Sequence, residues 1–120
     1  MPSPVFERSV FAHARRACLA LPEAQETAPW GHPNFRAGRR TFCAFELIDG
    51  RPSIAFKLPP DDIALRRLRD TFATPYGRGL WTSIWVDGTI EPETIARLAE
   101  RSYRAVATKR MIRTLEERRT

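Results

Sequence analysis

Arg40-Thr41-Phe42-Cys43-Ala44-Phe45-Glu46-Leu47-Ile48-Asp49-Gly50-Arg51-Pro52-Ser53-Ile54-Ala55-Phe56 decides the fold. Residues 40–48 are rich in β-formers, with Thr41, Phe42, Phe45 and Ile48 among them, and such side chains fit a pleated, half-buried surface. Asp49-Gly50 follows, a pair that accepts the two positive φ angles of a tight hairpin turn. The chain then returns with Ile54 and Phe56 on one face and Lys57 pointing to the other. One step outward, Asn34 to Ala37 reads as another strand, turned at Gly38-Arg39. Residues 34–57 are therefore expected to form a three-stranded antiparallel meander.

Helices flank this meander. Ser3-Pro4 reads as an N-cap followed by proline in the first turn. Phe6, Val10, Ala14, Ala17, Cys18 and Leu21 then recur at helical spacing, and the helix ends before Pro22. Glu23 to Pro33 is irregular, stiffened by Pro29-Trp30-Gly31-His32-Pro33. Beyond the meander, Pro59-Pro60-Asp61-Asp62 is expected to open a second helix, with Ile63, Leu65 and Leu68 inward and Arg66, Arg67 and Arg69 toward water. Leu80 to Val86 reads as a strand: Leu80, Thr82, Ile84 and Val86 share one face, while Trp81, Ser83 and Trp85 share the other. Pro92-Glu93 starts a third helix, apolar at Ile95, Leu98, Ala99, Ser102 and Val106. Lys109 to Thr120 reads either as a short amphipathic helix with Met111, Ile112 and Leu115, or as a fraying tail. The order helix, meander, helix, strand, helix specifies an α+β protein, a central antiparallel sheet packed against helices in one two-layer domain. The domain spans residues 1–108, with a basic C-terminal extension over 109–120.

The composition agrees with one folding unit. A chain of 120 residues that is 42% hydrophobic has enough length and apolar content for a single core. Cys18 and Cys43 have no CxxC spacing, which fits a reducing compartment and small buried apolar roles. No signal peptide or membrane-spanning run is read, so a soluble, cytoplasmic protein with no membrane partner is expected. The net charge of +6 is unevenly spread: seven basic residues face two acidic ones from Arg101 onward, a net +5, which leaves +1 for residues 1–100.

Little in the chain points to catalysis. His13 and His32 are its histidines and have no metal-ligand spacing, no nucleophile elbow occurs, and phosphate-binding glycine patterns are absent. The expected protein is therefore not an enzyme and carries neither metal nor cofactor. Two features point to binding instead. In Pro75-Tyr76-Gly77-Arg78-Gly79-Leu80-Trp81, glycines flank an arginine, so that backbone N–H groups and a guanidinium can converge on an anion; the plainer reading is a turn with Arg78 in solvent. Trp81 and Trp85 share a strand face, where open indoles would stack on bases and covered ones would be core, and burial is the expected outcome. Trp30, between proline and glycine, is expected to be the exposed one. The basic C-terminus reads equally as helix-end compensation and as a source of phosphate contacts.

In order, Leu21-Pro22-Glu23-Ala24, Pro29-Trp30-Gly31-His32-Pro33-Asn34-Phe35, Gly38-Arg39, Ile54-Ala55-Phe56-Lys57-Leu58, Pro75-Tyr76-Gly77-Arg78-Gly79-Leu80-Trp81 and Ser102-Tyr103 resemble the MmcQ/YjbR family of small bacterial proteins, from about the first helix to Lys109. The resemblance implies an antiparallel sheet with helices packed on it, similar to the frataxin-like arrangement. It also implies the family's description as predicted DNA-binding, or "double wing", with no catalytic residues. Frataxin-like iron binding is not expected, because the first helix carries only Glu7 and Glu23 near its ends. The positions carried over are Trp30, Arg39, Lys57, Arg78 and Trp81; the family often has lysine where this chain has Arg39. The first expectation is thus a DNA-binding domain in which Arg39, Lys57 and Arg78 contact phosphates with low sequence specificity. The alternatives are a small anionic-ligand pocket walled by Trp30 and Trp81 and anchored by Arg78, or a protein-interaction module docking through Met111, Ile112 and Leu115. No oligomeric state is read from the chain.

Overall fold

Asp49 (φ 51°) and Gly50 (φ 80°) both adopt the left-handed conformation, as a two-residue hairpin between right-twisted strands requires. The computed structural model describes residues 4–88 and 90–119. Its strands are β1 (Ala24–Thr27), β2 (Asn34–Ala37), β3 (Arg40–Ile48), β4 (Arg51–Phe56), β5 (Thr71–Ala73) and β6 (Thr82–Trp85). They form one antiparallel sheet in the order β1-β2-β3-β4-β6-β5. The helices are α1 (Ser9–Leu19), α2 (Pro92–Val106) and α3 (Lys109–Glu117). The expected α+β class and meander are both present. The edge strands β1 and β5 were not expected, because four and three residues with polar members carry no clear alternation.

One irregularity sets which side chains face the core. Phe35 pairs with Cys43 but Arg36 pairs with Thr41, leaving Phe42 as an extra residue on β3. Phe42 and Cys43 are consecutive yet both fully buried in the core cluster. Phe45 follows on the same side and closes a ring cluster with Phe6, Phe11 and Phe35, at centroid distances of 5.9, 4.6 and 5.1 Å. Phe42 meets Tyr103 of α2 edge to face at 5.6 Å. The Tyr103 hydroxyl donates to the Pro22 carbonyl at 2.8 Å, so α2 is tied to the chain just beyond α1. Cys18 and Cys43 are buried, as expected, and burial pushes the Cys43 thiol up.

Two expectations about helices need correction, and one pair of alternatives is decided. The N-terminal helix is split into a 3-10 turn over Pro4–Glu7 and α1, with Arg8 extended between them (ψ 153°); the Ser3 cap lies outside the described residues. The second helix is absent. In its place Asp62 caps a 3-10 turn over Ile63–Leu65 by accepting from the Ala64 N–H at 3.0 Å. Ile63 and Leu65 are two apart and cannot share a helical face, so Leu65 is buried while Ile63 stays 64% exposed. The segment after α2 does not fray over Lys109–Glu117. Thr108 Oγ1 accepts from the Met111 N–H, and Met111 and Leu115 join the core. These buried side chains are therefore not a docking stripe. Arg110 grips Glu23, Arg104 pairs with Glu116, and Arg119 pairs with Glu100. The Arg110 and Arg119 hydrogen bonds hold the Glu23 and Glu100 carboxyls below their ordinary range. Part of the C-terminal charge is thus paired at the surface, Arg110 and Arg119 with acids of the body and Arg104 with Glu116 of α3.

Candidate functional site

Pairing across β6, β4, β3 and β2 places one row of small residues on the face away from the helices. Ser83 pairs with Ala55, Ala55 with Ala44, and Ala44 with Asn34. Among the described residues no helix packs on this row, and the expectation that a helix covers Trp81 and Trp85 is corrected: both are half-buried on this face. Which residues share a face follows from strand parity, but which face the helices cover is decided by the bulge at Phe42 and the ring cluster on the opposite side.

Small side chains leave depth, and larger ones supply walls. Trp30, Tyr76 and Trp81 line a groove of about 470 Å³ together with Asn34, Thr41 and Thr74. Trp30 is 80% exposed and Tyr76 fully exposed. The wall carrying Tyr76 is a closed loop. The Thr74 N–H donates to the Trp81 carbonyl, the Gly77 N–H to the Thr74 carbonyl, and the Leu80 N–H to the Gly77 carbonyl. Gly77 is buried, and the position requires glycine because a Cβ would lie 2.8 Å from Trp81 Cβ. Tyr76 (φ 65°) and Arg78 (φ 56°) are both left-handed, a strained pairing of side-chain-bearing residues that holds the tyrosine outward. The Gly77 and Leu80 amides are engaged within the loop, so those two donors do not form the expected anion nest.

The expected site residues separate into those at the groove and one beyond it. Trp30 and Trp81 line it. The Lys57 ammonium lies 5.4 Å from the Trp81 ring centroid, a cation–π contact at the groove's edge. Arg78 is exposed in the loop that forms the wall, and neither it nor Lys57 has an ion-pair partner among the described residues. Arg39 is exposed at the β2–β3 turn, outside the groove lining. Trp85 is engaged elsewhere on the same face, stacked on Phe72 at 4.2 Å and covered by the Arg51 guanidinium at 3.9 Å.

Two residues of this site were missed from sequence: Tyr76 and Glu46. The signal for Glu46 was a lone carboxylate on the strand face opposite Phe45. It lines the groove half-buried, and its Oε1 is sealed from solvent with no hydrogen-bond partner among the described residues. Burial raises its carboxyl above the ordinary range, partly offset by nearby His32, whose Nδ1 is likewise sealed and unpartnered. The sign follows from linkage. A carboxyl whose folded pKa is raised favours the fold below its unfolded pKa and loses that contribution as pH rises through the folded value. Glu46→Gln is thus expected to raise the melting temperature at pH 7 by about 2–4 °C, with the gain shrinking toward pH 4 as the wild-type group takes up its proton. Thermal melts followed by circular dichroism across that range check it; a lower midpoint at pH 7 would contradict the burial account.

Among the described residues no group of three or more His, Cys, Asp or Glu is placed to hold a metal ion, and no helix is long and apolar enough to cross a membrane. A family model described as YjbR matches residues 19–105, which include every groove-lining residue. A crystal structure of a protein from Pseudomonas syringae, from a structural genomics consortium, is similar with a TM-score of 0.57 and 16% identity, covering 69% of this chain and 86% of that one. That likeness is one of fold. No curated protein matches.

Proposed function

The chain belongs to the YjbR family, and from that footing we propose that it is a non-catalytic, cytoplasmic DNA-binding protein that takes a single strand across the helix-free face of its sheet. The observation carrying this reading is the pair of exposed rings, Trp30 and Tyr76, flanking a groove, with Lys57 against the lining Trp81 and Arg78 exposed in the loop that forms the wall. Exposed aromatic faces stack on unpaired bases of any sequence, while nearby cations follow the phosphates. A duplex hides its base faces and offers such rings nothing to stack on, so single strands are favoured. Low sequence specificity is expected, since stacking and phosphate contact carry little base information. Glu46 in the groove argues against a small anion seated in this same space, because the two negative charges would oppose each other in a partly dry site.

Fluorescence anisotropy with labelled single-stranded and duplex DNA across a salt series tests this reading. Each phosphate contact on a single strand contributes about −0.7 to the slope of log K against log salt. Lys57→Ala with Arg78→Ala removes two such contacts and is therefore expected to flatten the slope by roughly 1.4 and weaken binding. Lys109→Ala with Arg113→Ala, both exposed on α3, serves as a charge-matched control. Truncation at Lys109 is unsuitable, since it would remove Met111 and Leu115 from the core. Equal weakening by the control, or no binding at low salt, would refute the site.

A further inference from the structure

A second cavity, of about 780 Å³, lies in the other layer, between the Ile63–Leu65 turn and α2. Arg66, Arg67, Arg97, Arg101 and Arg104 line it, with Glu100 as the sole lining carboxylate. Glu100 is already engaged by Arg104 and Arg119, so it does little to neutralise the remaining guanidiniums. Arg66 and Arg67 are exposed and have neither an ion pair nor a side-chain hydrogen bond among the described residues. Arg97 donates only to Thr94 Oγ1, at 3.5 Å.

One carboxylate clamps the two sides of the cleft together. Asp62 accepts from the Ala64 N–H at 3.0 Å and from both Arg101 Nε and Nη2, at 2.6 and 3.2 Å. This clamp joins the segment bearing Arg66 and Arg67 to the helix bearing Arg97, and Asp62 is only 14% exposed. It spends Arg101 on structure, and Glu100 and Glu116 hold Arg104, which leaves Arg66, Arg67 and Arg97 for a ligand. Several planar forks around one concave space match closely spaced phosphate oxygens. Exposed Ile63 and partly buried Leu68 add an apolar wall.

We propose that this cleft is an anion site for a condensed phosphate chain, either free or as the tail of a nucleoside triphosphate. Three unpaired guanidiniums exceed what one isolated phosphate monoester satisfies, and a chain of linked phosphates presents several charges within one cleft. The site is independent of the sheet face and stands or falls without it.

Isothermal titration of the full chain with tripolyphosphate, at about 100 mM salt and without divalent ions, tests the proposal. The expected result is binding at least about tenfold tighter than inorganic sulfate at matched ionic strength. Arg66→Ala with Arg67→Ala and Arg97→Ala should lose at least about tenfold in affinity, with an unchanged melting temperature because all three side chains are exposed. Trp30→Ala should bind tripolyphosphate as wild type does. A parallel titration with ATP separates the two sources: tighter binding than tripolyphosphate assigns the apolar wall to the nucleoside, and equal or weaker binding assigns the site to the phosphate chain alone. Tripolyphosphate binding no tighter than sulfate, or unaffected by the triple substitution, would overturn the proposal.

Discussion

Replacing Phe45 with alanine is expected to destabilise the protein by about 4 kcal/mol. The ring is fully buried and touches Phe6, Phe11 and Phe35, so it joins the N-terminal turn, α1 and β2 through one side chain. Truncation removes the transfer free energy of the ring and leaves a cavity that three rigid aromatic neighbours cannot easily fill. A domain of this kind has roughly 5–15 kcal/mol in all, so the variant would sit near the edge of folding at 37 °C. Phe45→Leu keeps most of the volume and is expected to cost about 1–1.5 kcal/mol. Urea titration of both variants checks the pair. A cost below about 1 kcal/mol for alanine would mean that the Phe6–Phe11 segment is not docked as described.

Trp30→Ala combined with Tyr76→Ala is expected to weaken single-stranded DNA binding by about 30- to 1000-fold. Stacking on one aromatic is worth about 1–3 kcal/mol per base, and two lost platforms in the lower half of that range, about 1–2 kcal/mol each, give about 2–4 kcal/mol. The two residues suit the test because both are exposed, so their loss should leave the melting temperature almost unchanged. Trp81 is less suitable, since it packs against Gly77 and supports Lys57, and its removal would disturb the wall itself. Anisotropy at a single moderate salt reads the effect. Binding within threefold of wild type would leave only electrostatic contact, roughly 0.6 kcal/mol being the most that stacking then supplies.

Legibility followed the range of the interactions. The Asp49-Gly50 hairpin was readable because its cause lies in two adjacent residues, and the shared face of Trp81, Ser83 and Trp85 because parity is local. Whether that face was open was not readable, since the answer depends on where the Phe42 bulge turns β3 and on which side the helices dock. The fate of the basic C-terminus was equally hidden: its partners Glu23 and Glu100 lie far from it in the chain or across a helix turn. Arg66 and Arg67 read as water-facing side chains in sequence and Arg97 carried no signal; the Asp62–Arg101 clamp joins the segments that bring them around one cleft. The MmcQ/YjbR resemblance held because its segments, from Leu21 to Tyr103, fall within the matched region.

The most direct test of the sheet-face account is a titration of isotope-labelled protein with a single-stranded oligonucleotide, followed by amide and indole NMR shifts. The expected result is a connected set of changes at the Trp30 indole, Thr41, Ala44, Ala55, Lys57 and the loop from Thr74 to Trp81, with the buried α1 amides unmoved. Changes confined to the helical layer, or none at saturating oligonucleotide, would contradict it.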